Sequence, residues 1–138
     1  MTETWSPSAS GSLKVNFDTA IRDLFLVQAV VCRNENGTII SSCFQYSPSC
    51  DPSVGEAQAA LLAASLASSL KLVNFVLDGD SAIVINSLKD PSSVLNWKID
   101  NLISLALSLI PSSSLWEVRS HLGIGLQNTQ GLVSRACT

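Results

Sequence analysis

The stretch Leu13-Lys14-Val15-Asn16-Phe17-Asp18 decides the fold class. Apolar and polar side chains alternate along it, which predicts a half-buried strand that ends at an acid. A second run, Phe25–Cys32, is mostly apolar, and Asn34-Glu35-Asn36-Gly37 follows it. Asn-Gly is the strongest short hairpin signal, so Thr38–Tyr46 is predicted to return as a third strand. The chain is therefore predicted to open with a three-stranded antiparallel meander.

Helical and strand patterns alternate in the rest of the sequence. Helices are predicted over Glu56–Leu70, Asp80–Leu88, Trp97–Ile110 and Gln127–Ala136. Strands are predicted over Leu72–Leu77 and Leu115–Val118. Ile83 is expected on the buried side of the second helix, and Trp97 and Trp116 in the core. A meander followed by strand–helix–strand crossovers predicts an α/β fold, a mixed sheet with helices packed on it.

The composition is that of one folded domain. The chain has 138 residues, with 46% hydrophobic and 14% charged, which excludes a disordered protein. No apolar stretch approaches the roughly 18 to 20 residues of a membrane span. Residues 1–12 are predicted to form a flexible N-terminal arm, without the apolar segment of a secretory signal. We expect one domain over 13–138 and a nuclear or cytoplasmic location.

The charge balance bears on the class of partner. The net charge is −3, and the eight basic residues are scattered along the sequence. These values argue against a strongly basic nucleic-acid binder. They leave open a protein that meets nucleic acid through bound metal ions.

Three acids stand at the ends of predicted elements. Asp18 ends the first strand, Glu56 begins the first helix, and Asp80 follows the fourth strand. If the first and fourth strands are neighbours, Asp18 and Asp80 lie near one end of the sheet, where a helix can present Glu56 between them. Converging carboxylates repel one another, and Mg²⁺ or Mn²⁺ would relieve that repulsion. Two such ions about 4 Å apart can activate water for phosphodiester cleavage.

Each acid also has a purely structural interpretation. Ser53-x-x-Glu56 matches a capping box, which would make Glu56 a helix-closing residue. Asp80 could cap a helix that starts at Ser81, and Asp18 could be a turn residue at a strand end. The spacing alone therefore predicts a candidate carboxylate metal site and leaves the structural alternatives open.

Four blocks of sequence resemble, in order and with family-like separations, the plant ribonuclease H-like domains of non-LTR retrotransposons and of many stand-alone plant reading frames. The blocks are Trp5-x-x-x-x-x-Gly11-x-Leu13-Lys14-Val15-Asn16-Phe17-Asp18-x-Ala20, Val31-Cys32-Arg33-Asn34-x-x-Gly37, Gly55-Glu56-Ala57-x-Ala59-Ala60 and Asp78-Gly79-Asp80-Ser81-x-x-Val84-Ile85. The resemblance implies a ribonuclease H-like fold, a mixed five-stranded sheet with helices on both faces. It also implies hydrolysis of the RNA strand of an RNA–DNA hybrid by four carboxylates that hold two Mg²⁺ ions.

The resemblance assigns roles to residues of this sequence. Asp18, Glu56 and Asp80 fall on three of the catalytic, metal-binding acids of the family. Asp78 and His121 fall on positions of possible auxiliary residues. The cofactor implied is Mg²⁺ or Mn²⁺, weakly bound, and the partner implied is an RNA–DNA hybrid or other nucleic acid, also weakly bound.

The fourth acid of the family has no counterpart. Alternative alignments put Gly131 or Leu132 at its position, and no Asp or Glu follows Glu117 in the sequence. Ile124 occupies the place of the family's second basic residue. We therefore expect impaired hydrolysis. The alternative is a non-catalytic domain, derived from a retrotransposon ribonuclease H, that binds nucleic acid or a protein.

Overall fold

A computed structural model of the chain describes residues 11–48, 51–93 and 97–120. In chain order the elements are β1 (Leu13–Ile21), β2 (Leu26–Arg33), β3 (Ile39–Ser47), α1 (Pro52–Ser69), β4 (Asn74–Gly79), α2 (Ala82–Lys89), α3 (Trp97–Ser108) and β5 (Leu115–Ser120). A 3-10 turn at Pro91–Ser93 follows α2, because proline ends the helix before it. The predicted order of elements is confirmed across the described residues.

The five strands form one mixed sheet in the order β3-β2-β1-β4-β5. The meander β1-β2-β3 is antiparallel, whereas β4 runs parallel to β1 and β5 runs parallel to β4. The turn between β2 and β3 matches its prediction, since Gly37 has φ of 83° and the Asn34 side chain accepts hydrogen bonds from two backbone amides of the turn. The mixed five-stranded sheet is thus confirmed, with β1 at its centre.

The main core lies between one face of this sheet and the described helices. Val15 and Phe17 of β1 pack in one buried cluster with residues from all three of the described helices. The face of α1 in this cluster is lined by alanine, and small side chains bring the helix close to the strands beneath it. Among the helices of the described chain, none is long and apolar enough to cross a membrane.

Three predictions about individual positions were wrong. β1 continues past Asp18 to Ile21, because its ladder with β2 extends to the Ile21–Leu26 pair. Ile83 is 59% exposed, since α2 turns Val84 and Leu88 toward the core instead. Trp97 is 70% exposed at the start of α3. The prediction for Trp116 fits better, because its ring stacks on Phe75 at 6.3 Å between centroids.

Several predictions lie outside the described residues. These are most of the N-terminal arm, the helix over 127–136, the auxiliary residue His121 and the tail positions Ile124, Gly131 and Leu132. They stay predictions, as does the division into an arm and a domain.

Candidate metal centre

The topology brings Asp18 and Asp80 to the same end of the sheet. β1 and β4 are parallel neighbours, and their ladder runs from the Leu13–Phe75 pair to the Asn16–Asp78 pair. Asp18 and Asp80 each lie two residues beyond that last pair. From there β1 continues its pairing with β2 alone, so the two acids stand where β1 and β4 separate.

Glu56 reaches the same place from α1. The helix begins at Pro52, and Asp51 caps it by accepting a hydrogen bond from the Ser53 amide. The capping box predicted for Ser53 and Glu56 is therefore wrong, because both residues lie inside the helix. A Cβ on Gly55 would lie 2.6 Å from Leu26 Cδ1 and 3.0 Å from Thr19 Cγ2. The glycine thus allows α1 to approach β1 and β2 closely, and the next residue is Glu56.

Asp80 is not a helix cap either. Ser81 caps α2, with its hydroxyl accepting a hydrogen bond from the Val84 amide at 3.4 Å. On the other side of Asp80, a Cβ on Gly79 would lie 2.6 Å from the Phe17 ring. The residues that precede Asp18 and Asp80 are therefore packed against each other, which holds the two acids in fixed relation.

The three carboxylates form one compact cluster. One oxygen each of Asp18, Glu56 and Asp80 lies within 4.8 Å of the others. Asp18 is buried, with its Oδ1 accepting a hydrogen bond from the Thr19 amide at 2.7 Å, and the other two are half-buried. Neither Glu56 nor Asp80 forms a salt bridge within the described chain. Neither Glu56 nor Asp80 is therefore a helix cap. The side chains of both converge with that of Asp18, as the hypothesis of a metal site requires.

A negative charge on Glu56 is unfavourable in this cluster because Asp18 and Asp80 are close to it. Burial raises the pKa of Glu56 to about 8, and the charges of Asp18 and Asp80 and a hydrogen bond with Asp18 act in the same direction. Glu56 Oε2 is buried and accepts no hydrogen bond from any described residue. A divalent cation would satisfy this oxygen and offset the repulsion. The donor set, made of carboxylate oxygens, fits a hard ion such as Mg²⁺ or Mn²⁺.

Asp78 stands apart from the cluster. Its Oδ2 lies 3.3 Å from Lys14 Nζ, and both side chains are buried. Sequence reasoning missed Lys14, because a polar position of an alternating strand is normally assumed to face solvent. His121, the second auxiliary candidate, lies outside the described residues.

Comparison with known proteins identifies the family of the chain. A family model described as reverse transcriptase-like matches residues 26–123, which is 98 of the 138 residues. The chain belongs to this reverse transcriptase-like family. No curated protein matches the sequence.

Solved structures of ribonucleases H have the same fold as this reverse transcriptase-like chain. RNase H1 from the halophilic archaeon Halobacterium salinarum is similar with a TM-score of 0.79 and 18% identity, over 92% of this chain and 98% of that one. The N-terminal RNase H domain of a Mycobacterium tuberculosis protein gives 0.77 and 15%, over 92% and 99%. LC11-RNase H1, in complex with an RNA/DNA hybrid, gives 0.65 and 14%, over 91% and 99%. At these identities the likeness establishes the fold, and the chain is a ribonuclease H-like domain.

Proposed function

We propose that this ribonuclease H-like domain binds RNA–DNA hybrids and hydrolyses their RNA strand in a reaction that requires Mg²⁺ or Mn²⁺. The observation that carries the proposal is the convergence of Asp18, Glu56 and Asp80 within 4.8 Å. A second support is the fold, which is shared with a ribonuclease H whose structure contains an RNA/DNA hybrid.

The three acids lie on different elements of the fold, and we assign them different roles. Asp18 sits within a strand that is paired with β2, which suits a ligand that fixes the position of the ion. Asp80 follows the end of β4, and Glu56 projects from a helix and carries the raised pKa. Divalent ions bound here would activate water and stabilise the leaving oxygen of a phosphodiester. Deprotonated Glu56 is the form that would hold them.

We expect turnover to be slow. The family resemblance implies a fourth carboxylate, yet no Asp or Glu follows Glu117 in the sequence. Loss of a residue that merely supports a metal ligand commonly lowers affinity or activity by roughly 10- to 100-fold. Loss of a ligand should cost at least as much.

Substrate binding should be weak as well. The net charge is −3, so the protein as a whole repels the phosphates of a hybrid. Binding then depends on the few phosphate contacts that scattered basic residues make, and it should weaken steeply with added salt.

The test is cleavage of a hybrid with a labelled RNA strand in Mg²⁺ and in Mn²⁺. The wild type should cleave it, and Asp80→Asn should abolish cleavage. Asp100→Asn is the matched control, because Asp100 is exposed on α3 and should leave cleavage unchanged. Equal cleavage by the wild type and Asp80→Asn would contradict the proposal.

The missing fourth carboxylate supports a second candidate, a non-catalytic domain that binds nucleic acid. It predicts that the wild type binds the hybrid but shows no turnover even in Mn²⁺. Robust turnover that depends on Asp80 would exclude this candidate.

A further inference from the structure

The ion pair between Lys14 and Asp78 is buried between β1, which carries Asp18, and β4, which Asp80 follows. The side chains are 1% and 3% exposed, and Nζ lies 3.3 Å from Oδ2. The two residues are on neighbouring parallel strands but not at paired positions. Lys14 pairs with Val76, and Asp78 pairs with Asn16, so the ion pair runs diagonally across the β1–β4 ladder.

The apolar pattern of these strands does not by itself select one register. Side chains of a strand repeat every two residues, so a slip of two residues keeps every side chain on its face. In one direction of slip, Val15 would face Phe75 and Phe17 would face Leu77, so both would still meet apolar partners on β4. In the other direction, Val15 would face Gly79, so the apolar pattern disfavours that slip. Such a slip would move Asp18 relative to Asp80 by about 6.6 Å. That distance exceeds the 4.8 Å within which the three carboxylates now converge.

The ion pair, in contrast, does discriminate between registers. The slip that keeps apolar partners would place Lys14 opposite Asn74 and separate it from Asp78, which leaves two buried charges without each other. The slip in the other direction would keep Lys14 beside Asp78, but it is disfavoured by the apolar pattern. Separating a buried pair is strongly unfavourable, and fixing a register is the best-attested use of buried polar groups. The pair therefore favours the register in which Asp18 and Asp80 stand together.

We propose that the Lys14–Asp78 ion pair sets the register of β1 against β4 and thereby positions Asp18 and Asp80 to bind a divalent ion. Asp78 is then a positioning residue and not a metal ligand, which agrees with its place outside the cluster of Asp18, Glu56 and Asp80. The part that concerns metal binding rests on the proposed function, whereas the part that concerns register does not.

Mn²⁺ binding by Lys14→Met and Asp78→Asn separates positioning from simple charge effects. If only charge mattered, loss of the lysine would strengthen Mn²⁺ binding and loss of the aspartate would weaken it. Positioning predicts that both variants bind Mn²⁺ more weakly, by about tenfold or more, and that Lys14→Arg retains most of the affinity. Binding by Lys14→Met as tight as, or tighter than, that of the wild type would overturn the proposal.

A double variant removes the pair without leaving an unpaired buried charge. Lys14→Met with Asp78→Val should fold, because apolar side chains of closer size replace both buried charges. The register can be read from nuclear magnetic resonance contacts between the partners Val15 and Leu77. We expect the double variant to lose these contacts, or to show them in only part of the molecules, and to bind Mn²⁺ more weakly. Unchanged Val15–Leu77 contacts would overturn the proposal, whereas absence of Mn²⁺ binding by the wild type would contradict the metal site.

Discussion

Asp78 and the cluster of Asp18, Glu56 and Asp80 differ in what balances their charge. Asp78 has Lys14 at 3.3 Å, so the sequence itself supplies its counter-ion. Glu56 and Asp80 have no salt bridge within the described chain, and the pKa of Glu56 is raised to about 8. The difference fits a structural role for Asp78 and the proposed role of the cluster in binding a cation.

The largest effect on stability should come from replacing aspartate by asparagine at Asp78, with the same replacement at Asp80 as the comparison. Asp78→Asn leaves Lys14 buried without its ion partner and should lower the free energy of unfolding by about 3–5 kcal/mol. Asp80→Asn removes one of three repelling charges, so the stability of the metal-free protein should be unchanged or higher. Urea unfolding without metal measures both. Equal destabilisation by the two variants would show that the acids do not differ as described.

The pH dependence of stability should report on Glu56. Its pKa is about 8 in the folded protein and near its ordinary value of 4.5 when unfolded. Between these values the folded state holds a proton that the unfolded state has lost, so stability should fall as the pH rises from 4.5 to 8. The fall should be on the order of a few kcal/mol, since one pKa unit is worth about 1.4 kcal/mol.

Glu56→Gln is the control for this titration. The variant should show a flatter stability profile over the same range and greater stability than the wild type at pH 8 without metal. Added Mn²⁺ should stabilise the wild type more at pH 8 than at pH 6, because the ion binds the deprotonated carboxylate. A wild-type profile as flat as that of the variant would contradict the raised pKa.

The contact between Phe17 and Gly79 is an apolar counterpart of the ion pair, since it joins the same two strands next to the acids. Gly79→Ala would place a Cβ 2.6 Å from the Phe17 ring and should cost about 1–3 kcal/mol. It should also weaken Mn²⁺ binding, because a displaced Phe17 moves Asp18. Gly55→Ala should cost less, since its closest contact is the end of the Leu26 side chain. Thermal unfolding that ranks the two variants in the opposite order would contradict this account.

The smallest effect is expected at the exposed ion pair on β5. Arg119 and Glu117 approach to 2.8 Å, but their side chains are 45% and 58% exposed. Water already solvates both groups, so the interaction energy from a double-mutant cycle with Arg119→Ala and Glu117→Ala should stay below about 1 kcal/mol. A coupling as large as that of Lys14 with Asp78 would mean that burial is not what distinguishes the two pairs.

The sequence was sufficient to predict the elements of the sheet, because these depend on patterns of short range. The convergence of the acids was predicted only on the condition that the first and fourth strands are neighbours. Alternating β1 and the Asn-Gly turn predict the meander, and the acids fall where neighbouring elements begin or end. α1 begins at Pro52 and not at the predicted Glu56. Asp51 and Pro52 compete with Ser53 as an N-terminal signal and form the better cap. The position of Asp18 within β1 was missed because pairing with β2 continues past it.

Other features depend on partners that are distant in sequence. The pairing of Lys14 with Asp78 joins residues of different strands, and nothing in the local pattern of either marks it. The close packing at Gly55 and Gly79 likewise depends on β1 and β2 side chains, so a glycine in the sequence does not reveal whether space or flexibility is required. The prediction that Trp97 lies in the core is wrong because the start of α3, where the residue stands, leaves its side chain exposed.

The most direct test of the central claim, that Asp18, Glu56 and Asp80 form a cation site, is calorimetric titration of the protein with Mn²⁺ at pH 8. The wild type and the control Asp100→Asn should bind the ion with the same affinity, and Asp80→Asn should bind it at least about tenfold more weakly. If Asp80→Asn bound Mn²⁺ as tightly as the wild type, or if the wild type bound none, the three carboxylates would not be a metal site.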